Sequence, residues 1–283
     1  MKQPTVAVVG LGLMGGSVVR ALAQLPNAPR VLGTSPDARD RAGAEQVAGV
    51  RVAAVARDVI PEADLIVYAA PLGPILEMLP AHAPLIRDDA VVTDLAGLKR
   101  PVLERAFEAG LGDRFVGAHP MAGGEGSGFE GGRADLFRGA RVWLCAHGGV
   151  ERRAAIRVEH FWSDLGARTE WTDPKSHDEL MEKVSQLPQL VANALALALE
   201  RKGVKAGELG PGGRDMTRLA ESPAHMWRDL LAHTGPEVAA LLREVTRSAE
   251  EIAAKLEAGE MDAIGELMAQ TRRWRTGRGE QGR

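Results

Sequence analysis

The sequence predicts an α/β fold, a doubly wound parallel sheet followed by an all-helical domain, on three observations. Short β-branched and apolar runs alternate with helix-length stretches as far as Thr172. The first run ends in Gly10, Gly12 and Gly15, spaced G-x-G-x-x-G, directly before a helical pattern. Beyond Thr172 the strand signal stops, and apolar residues recur at helical spacing.

Taken in order, strands are expected at Thr5 to Val9, Arg30 to Leu32, Val50 to Ala53, Leu65 to Ala69, Ala90 to Thr93, Arg114 to Gly117, Arg141 to Cys145 and Thr169 to Trp171. A helix is expected from Ser17 to Leu25, and Ser176 with Glu179 reads as a capping box opening a long helix that Pro188 kinks. Helices continue to about Arg273. The division is a dinucleotide-binding domain over 1–172, a helical substrate and dimerisation domain over 173–275, and a frayed tail over 276–283.

Composition narrows the function. The 283 residues are 45% hydrophobic and 26% charged with a net charge of -3, a globular profile with no basic field for nucleic acid. Cys145 is the single cysteine, so one chain holds neither a disulfide nor a cysteine-rich metal site, and no metal is expected. The N-terminus carries no apolar targeting segment, and the apolar run Leu190 to Leu199 is too short to span a bilayer. A soluble, cytoplasmic protein is expected.

The glycine motif points to a Rossmann-type cofactor site. Gly10 permits the tight turn, Gly12 lets the backbone approach a pyrophosphate, and Gly15 lets helix and strand pack closely. Leu13 and Met14 inside the motif, and Ala70 and Pro71 after the fourth strand, complete the expected cofactor contacts. At the end of the second strand, where a carboxylate would hold the ribose of NAD, the chain has Thr34 and Ser35, with Arg39 and Arg41 nearby. That favours NADP over NAD, although Asp37 could restore an NAD-type contact.

His119 follows a strand and precedes Pro120, so it is expected on a loop at the carboxyl edge of the sheet, either as a general base or as an ordinary loop histidine. GLGLMGGS near the start together with HPMAGGEGSGFEGGRADLF from His119 onward resembles the prephenate/arogenate (cyclohexadienyl) dehydrogenase family of tyrosine biosynthesis. Further matches are TDLAGLK from Thr93, Ser176-His177-Asp178, and GRDMTRLA from Gly213 leading to Met226-Trp227.

The resemblance implies oxidative decarboxylation of prephenate or arogenate, with hydride transfer to NAD(P)+, the commoner prephenate being the expected substrate. It implies His119 as the base that takes the substrate hydroxyl proton and Arg218 as the ligand of a substrate carboxylate. Trp227 matches an aromatic near the site and could equally be a core or interface residue. Glu125 and Ser127 lie in the glycine-rich loop, where either could order the pocket or simply bond the loop. Lys99 is a further candidate substrate contact, and His177 and Asp94 read as structural. Arg214 and Asp215 are expected to form an ionic scaffold around Arg218.

Two departures touch chemistry. Gly97 stands where many relatives carry a serine, and Gln186 and Gln189 stand where relatives carry histidines, offering neutral amides on one helix face. They keep open a related nicotinamide enzyme acting on a prephenate analogue or another hydroxyacid or imine; a non-catalytic dinucleotide-binding regulator, which need not keep His119 and Arg218, ranks last because both are present. A homodimer through the helical domain is expected from its apolar surface and from the resemblance. No regulatory domain is expected after Arg273, which would put any feedback at the active site.

Overall fold

The computed structural model describes residues 3–124 and 126–277. Its backbone divides into two compact units, Met1–Met181 with Pro223–His233, and Glu182–Ser222 with Thr234–Arg283.

The first unit is built on an eight-stranded sheet in the order β3-β2-β1-β4-β5-β6-β7-β8. The strands are β1 (Thr5–Val9), β2 (Arg30–Thr34), β3 (Val50–Ala53), β4 (Leu65–Tyr68), β5 (Val91–Asp94), β6 (Phe115–Pro120), β7 (Arg141–Ala146) and β8 (Arg168–Trp171). Strands β1 to β6 run parallel, β7 pairs antiparallel with β6, and β8 runs parallel with β7. All eight expected strands form. β1 is buried along its whole length because helices cover both faces: Val6 and Val8 enter one core, Ala7 and Val9 the other.

The chain leaves β1 for β2 on one side and reaches β4 on the other. Such a switch point opens a crevice at the carboxyl ends of the strands. Helices α1 (Leu13–Ala23), α2 (Ala38–Glu45), α3 (Leu72–His82), α4 (Arg100–Glu108) and α5 (Arg152–Asp164) make the crossovers. α1 begins at Leu13 rather than at Ser17, because Gly12 caps it and the glycines belong to the turn and the first helical residues. β6 runs on through His119 and Pro120, which the sequence placed on a loop, because β7 pairs with them: His119 lies opposite Trp143 and Pro120 opposite Val142.

α6 (Pro174–Met181) closes the first part of this unit. Its N-terminal cap is Asp173 rather than Ser176: the Ser176 amide donates to Asp173 Oδ1 at 2.9 Å, and Pro174 occupies the first turn. The second unit is helical among the described residues. A π-helical turn (Glu182–Gln186) leads into α7 (Leu187–Arg201), absorbing the missing amide of Pro188, and α8 (Pro211–Thr217) follows. α9 (Ala224–Glu257) begins within the first unit and supplies most of its length to the second, and α10 (Met261–Arg275) ends the described chain. Of the tail over 276–283 expected to fray, residues 278–283 lie outside the described residues. No described helix is long and apolar enough to cross a membrane.

Candidate active site

At the β1 turn Gly10 adopts a φ of +99°, a left-handed conformation that favours glycine. A Cβ there would sit 2.4 Å from the carbonyl oxygen of Ala69, so the β1 turn and the end of β4 abut, bringing Ala70 and Pro71 beside the glycines. A Cβ on Gly15 would sit 1.9 Å from the Gly10 carbonyl oxygen. Only glycine packs there. Gly12 differs: a Cβ on it would meet nothing within 4 Å, and α1 starts on it with no side-chain cap and no acidic residue in its first turn. Open space before uncapped helix amides suits a pyrophosphate, so the residues present fit a dinucleotide.

Thr34 and Ser35 are buried at the end of β2, and the Arg41 Nη1 donates to the Ser35 and Pro36 carbonyls at 2.7 and 2.9 Å. Asp37 caps α2, its Oδ1 accepting from the Arg39 and Asp40 amides at 2.7 and 3.3 Å. One of its carboxylate oxygens is thereby taken by the helix. Arg39 is exposed. The glycine-rich loop after β6 folds back over this region. Phe129 is wedged where a Cβ on Gly16 or Gly43 would come within 2.9 or 2.6 Å of its ring, and its amide donates to Asp40 Oδ1 at 2.7 Å. Ser127 is exposed in that loop, whereas Glu125 lies outside the described residues.

The chemical centre lies at the carboxyl ends of β5 and β6. Asp94 ends β5, and its Oδ2 accepts from Lys99 Nζ at 2.5 Å and from the Ala96 amide at 2.9 Å. Its Oδ1 accepts from the Ala118 amide at 3.1 Å, and Lys99 Nζ donates also to the Ala118 carbonyl at 2.7 Å. Lys99 thus grips both the amide's partner and the carbonyl of the residue before His119, with no exposed side-chain surface to offer a ligand. Burial drives the Asp94 carboxyl upward against the pull of Lys99 and the two amides.

His119 Nδ1 lies 3.0 Å from Nε2 of His177, and His177 Nδ1 lies 2.7 Å from Asp178 Oδ1. Asp178 in turn accepts the amides of Lys99 and Arg100 at 2.7 and 2.9 Å. It therefore caps α4, which has no cap of its own, from 78 and 79 residues away. Though burial opposes it, the His177 hydrogen bond and these two amides hold the Asp178 carboxyl below its ordinary range. Burial, with His177 and Lys99 nearby, pushes His119 well below the usual imidazole value, so the ring is neutral at neutral pH. The other ring nitrogen, Nε2, faces Gly97: a Cβ there would lie 3.9 Å from it and 3.5 Å from Leu230 Cδ2. His177 and Asp178, read from the sequence as a helix start, are the residues that reasoning missed. The Ser176-His177-Asp178 match was the one signal for them.

In the second unit Gln186 and Gln189 are both buried. The Gln186 Oε1 accepts from Thr234 Oγ1 at 2.5 Å. Gln189 Nε2 donates to Asn193 Oδ1 at 2.8 Å and to the Leu219 carbonyl at 2.7 Å, while its Oε1 is buried without a partner among the described residues. Arg218 is exposed and opens a short 3-10 turn (Arg218–Glu221). Arg214 and Asp215 are exposed as well, and no ion pair joins Asp215 to Arg218 among the described residues. Trp227 lies near the start of α9, half-buried. Among the described residues no cluster of histidine, cysteine and carboxylate side chains could hold a metal ion.

Residues 19–171 match the family model described as prephenate dehydrogenase, nucleotide-binding domain, and residues 173–270 match prephenate dehydrogenase, dimerization domain. The chain is 29% identical over 248 residues to a cyclohexadienyl dehydrogenase of Zymomonas mobilis, covering 84% of this chain and 83% of that one. It is 28% identical over 263 residues to a prephenate dehydrogenase of Bacillus subtilis, covering 88% and 69%. A crystal structure of prephenate dehydrogenase from Aquifex aeolicus, in complex with hydroxyphenyl propionate and NAD+, superposes with a TM-score of 0.89 at 25% identity, covering 98% of this chain and 99% of that one.

Proposed function

Because the chain belongs to the prephenate dehydrogenase family, we propose that His119 is the base of an NAD(P)-dependent oxidative decarboxylation that serves tyrosine biosynthesis. The observation that carries this reading is a neutral imidazole whose Nε2 faces the side-chain-free Gly97 at the carboxyl edge of a dinucleotide-binding sheet. Gly10, Gly12, Leu13, Met14, Gly15, Ala70 and Pro71 would hold the dinucleotide, which would supply the hydride acceptor. His119 takes the proton of the ring hydroxyl as the C4 hydride departs. The bond to the ring carboxylate then breaks, CO2 leaves, its electron pair makes the ring aromatic, and the proton returns to the phenolic oxygen. Aromatisation drives the reaction forward.

Arg218 is assigned to a substrate carboxylate, where a guanidinium gives a bidentate contact. Lys99 acts on this site from beneath by holding Asp94 and Ala118. Glu125, Ser127 and Trp227 remain assigned to the substrate pocket. Residues 1–172 serve cofactor binding and 173–275 serve substrate binding and homodimer formation, a division supported by the bounds of the two family models. A reducing, cytoplasmic setting suits a chain whose only cysteine is buried in β7 with its thiol pushed up to about 12.

NADP is favoured over NAD, since Thr34 and Ser35 present no carboxylate, Asp37 lends one oxygen to capping α2, and Arg39 is exposed beside them. On the substrate side, Gln189 has both Nε2 hydrogens committed and offers only an acceptor. That suits the ammonium of arogenate better than the keto oxygen of prephenate, against the preference expected from the family alone.

The test is reduction of NADP+ and NAD+ followed at about 340 nm with prephenate and arogenate, the products identified, in the wild type and in His119→Asn. Turnover in the wild type with its loss in His119→Asn, at unchanged cofactor affinity, supports the reading. Unchanged turnover in His119→Asn overturns the base assignment. Arg39→Ser should weaken NADP+ about tenfold, on the order of 1.4 kcal/mol, and leave NAD+ unaffected.

A further inference from the structure

We propose that His177 is a positioning residue which, held by Asp178, fixes the tautomer of His119 so that Nε2 is the nitrogen free to take the substrate proton. The proposal rests on the reading of His119 as the base.

With both imidazoles neutral, the hydrogen-bond chain leaves one consistent assignment. Asp178 is an acceptor, because both its oxygens take backbone amides of Lys99 and Arg100. The proton between it and His177 therefore sits on His177 Nδ1. In a neutral imidazole the other nitrogen is then a lone pair, so His177 Nε2 accepts. Three ångströms away, His119 Nδ1 must donate. The opposite tautomer of His119 would set two lone pairs against each other at 3.0 Å in a buried site, and His177 could not turn to relieve them without abandoning Asp178. His119 Nε2 is left as the basic nitrogen, on the side of Gly97 and Leu230.

The rest of the surroundings keep this arrangement from shifting. The charged groups packed around the pair are Asp178 and Arg100, and the Lys99 and Asp94 pair beneath β6. Cys145 on β7 adds only an uncharged thiol. Lys99 donates to Asp94 and to the Ala118 carbonyl, so two of its N–H bonds are spent on partners other than the two rings. When Nε2 takes the hydroxyl proton, Nδ1–H stays on His119 and its bond to the His177 lone pair strengthens, with the Asp178 carboxylate behind it. When the phenolic oxygen takes the proton back, the starting tautomer is restored. A histidine merely filling the core would need neither the carboxylate nor the alignment.

The test has two parts. In the wild type labelled with 15N histidine, NMR above the titration range should show the His119 proton on Nδ1 and a bare Nε2. A proton on Nε2 overturns the proposal, whatever the variants do. Glutamine can present an amide oxygen where the ring presents Nε2, whereas leucine fills the space with no acceptor. His177→Gln should therefore keep kcat within about tenfold, and His177→Leu should lower it on the order of 100-fold with KM and cofactor affinity unchanged. If His177→Leu folds and keeps kcat within about twofold, the proposal fails. If the losses in the two variants are equal, it fails as well. His119→Asn separates the two readings: its loss of turnover beside an active His177→Leu defeats the positioning role alone, and its retained activity defeats the base assignment beneath it.

Discussion

Lys99 Nζ lies 2.5 Å from Asp94 Oδ2 with both side chains wholly buried, and the same ammonium reaches the carbonyl of Ala118, the residue before the proposed base. The pair ties the end of β5 to the end of β6. Removing one partner strands the other as an uncompensated buried charge. Lys99→Met should therefore destabilise the protein by about 3–5 kcal/mol, read as a lower denaturant midpoint. The double variant Lys99→Met, Asp94→Asn should recover part of that loss.

Gly12 and Gly15 should separate binding from folding. A Cβ on Gly15 meets the Gly10 carbonyl oxygen at 1.9 Å, whereas one on Gly12 meets nothing within 4 Å. Gly15→Ala should lower the melting temperature and reduce the yield of folded protein. Gly12→Ala should keep the melting temperature and raise the dinucleotide Kd at least about tenfold, on the order of 1.4 kcal/mol. Equal melting losses in both would contradict a ligand-facing Gly12.

Gly97 has room for a small side chain beside the base. The nearest atoms to a Cβ there are Leu230 Cδ2 at 3.5 Å and His119 Nε2 at 3.9 Å, ordinary contact distances. Gly97→Ser should fold with its stability within about 0.5 kcal/mol of the parent. Its hydroxyl adds a hydrogen bond next to Nε2, changing kcat/KM by a factor of up to about ten, on the order of 0.5–1.5 kcal/mol. Gly97→Leu, too large for that space, should abolish turnover without weakening cofactor binding.

The depressed basicity of His119 sets the pH dependence. The ring must be neutral to act, so the acidic limb of kcat/KM should lie below the ordinary imidazole value of about 6.5. His119 and Asp178 are both held below their unfolded values, His119 by burial with His177 and Lys99, Asp178 by His177 and two amides. At these two groups the unfolded chain binds more protons than the folded one, whereas Asp94, driven upward by burial, acts in the opposite sense. The contribution of His119 and Asp178 should be full above the unfolded histidine value and fall with acid, first through His119 and, below about pH 4, through Asp178. Denaturant titrations of the wild type and of His119→Asn at several pH values check the sign; an acid loss between about pH 7 and 5 no smaller in the variant would contradict it.

Much of the fold was legible because its signals are local. A β-branched run announces a strand wherever it occurs, and G-x-G-x-x-G before a helix announces the turn, since only glycine tolerates the φ of Gly10 and the closeness of Gly15 to Gly10. The sequence and the structure differ in one place decided by a distant partner and one decided locally. β6 continues past Gly117 because pairing with β7 carries it through His119 to Pro120. α6 starts before Ser176 because Asp173, three residues upstream, caps it and Pro174 fits its first turn.

The sequence by itself determined the two-part α/β and helical plan, the cofactor turn, the family and His119 as the residue to watch. Those depend on side-chain type, spacing and backbone preference, all written within a few residues. The tertiary structure alone decided that Lys99 supports the site from within the core and that Asp178 caps a helix 78 residues before it in the chain. It alone set His177 between that carboxylate and His119. Hydrogen bonds between separated segments are chosen by the packing of whole strands and helices, and no local pattern records them.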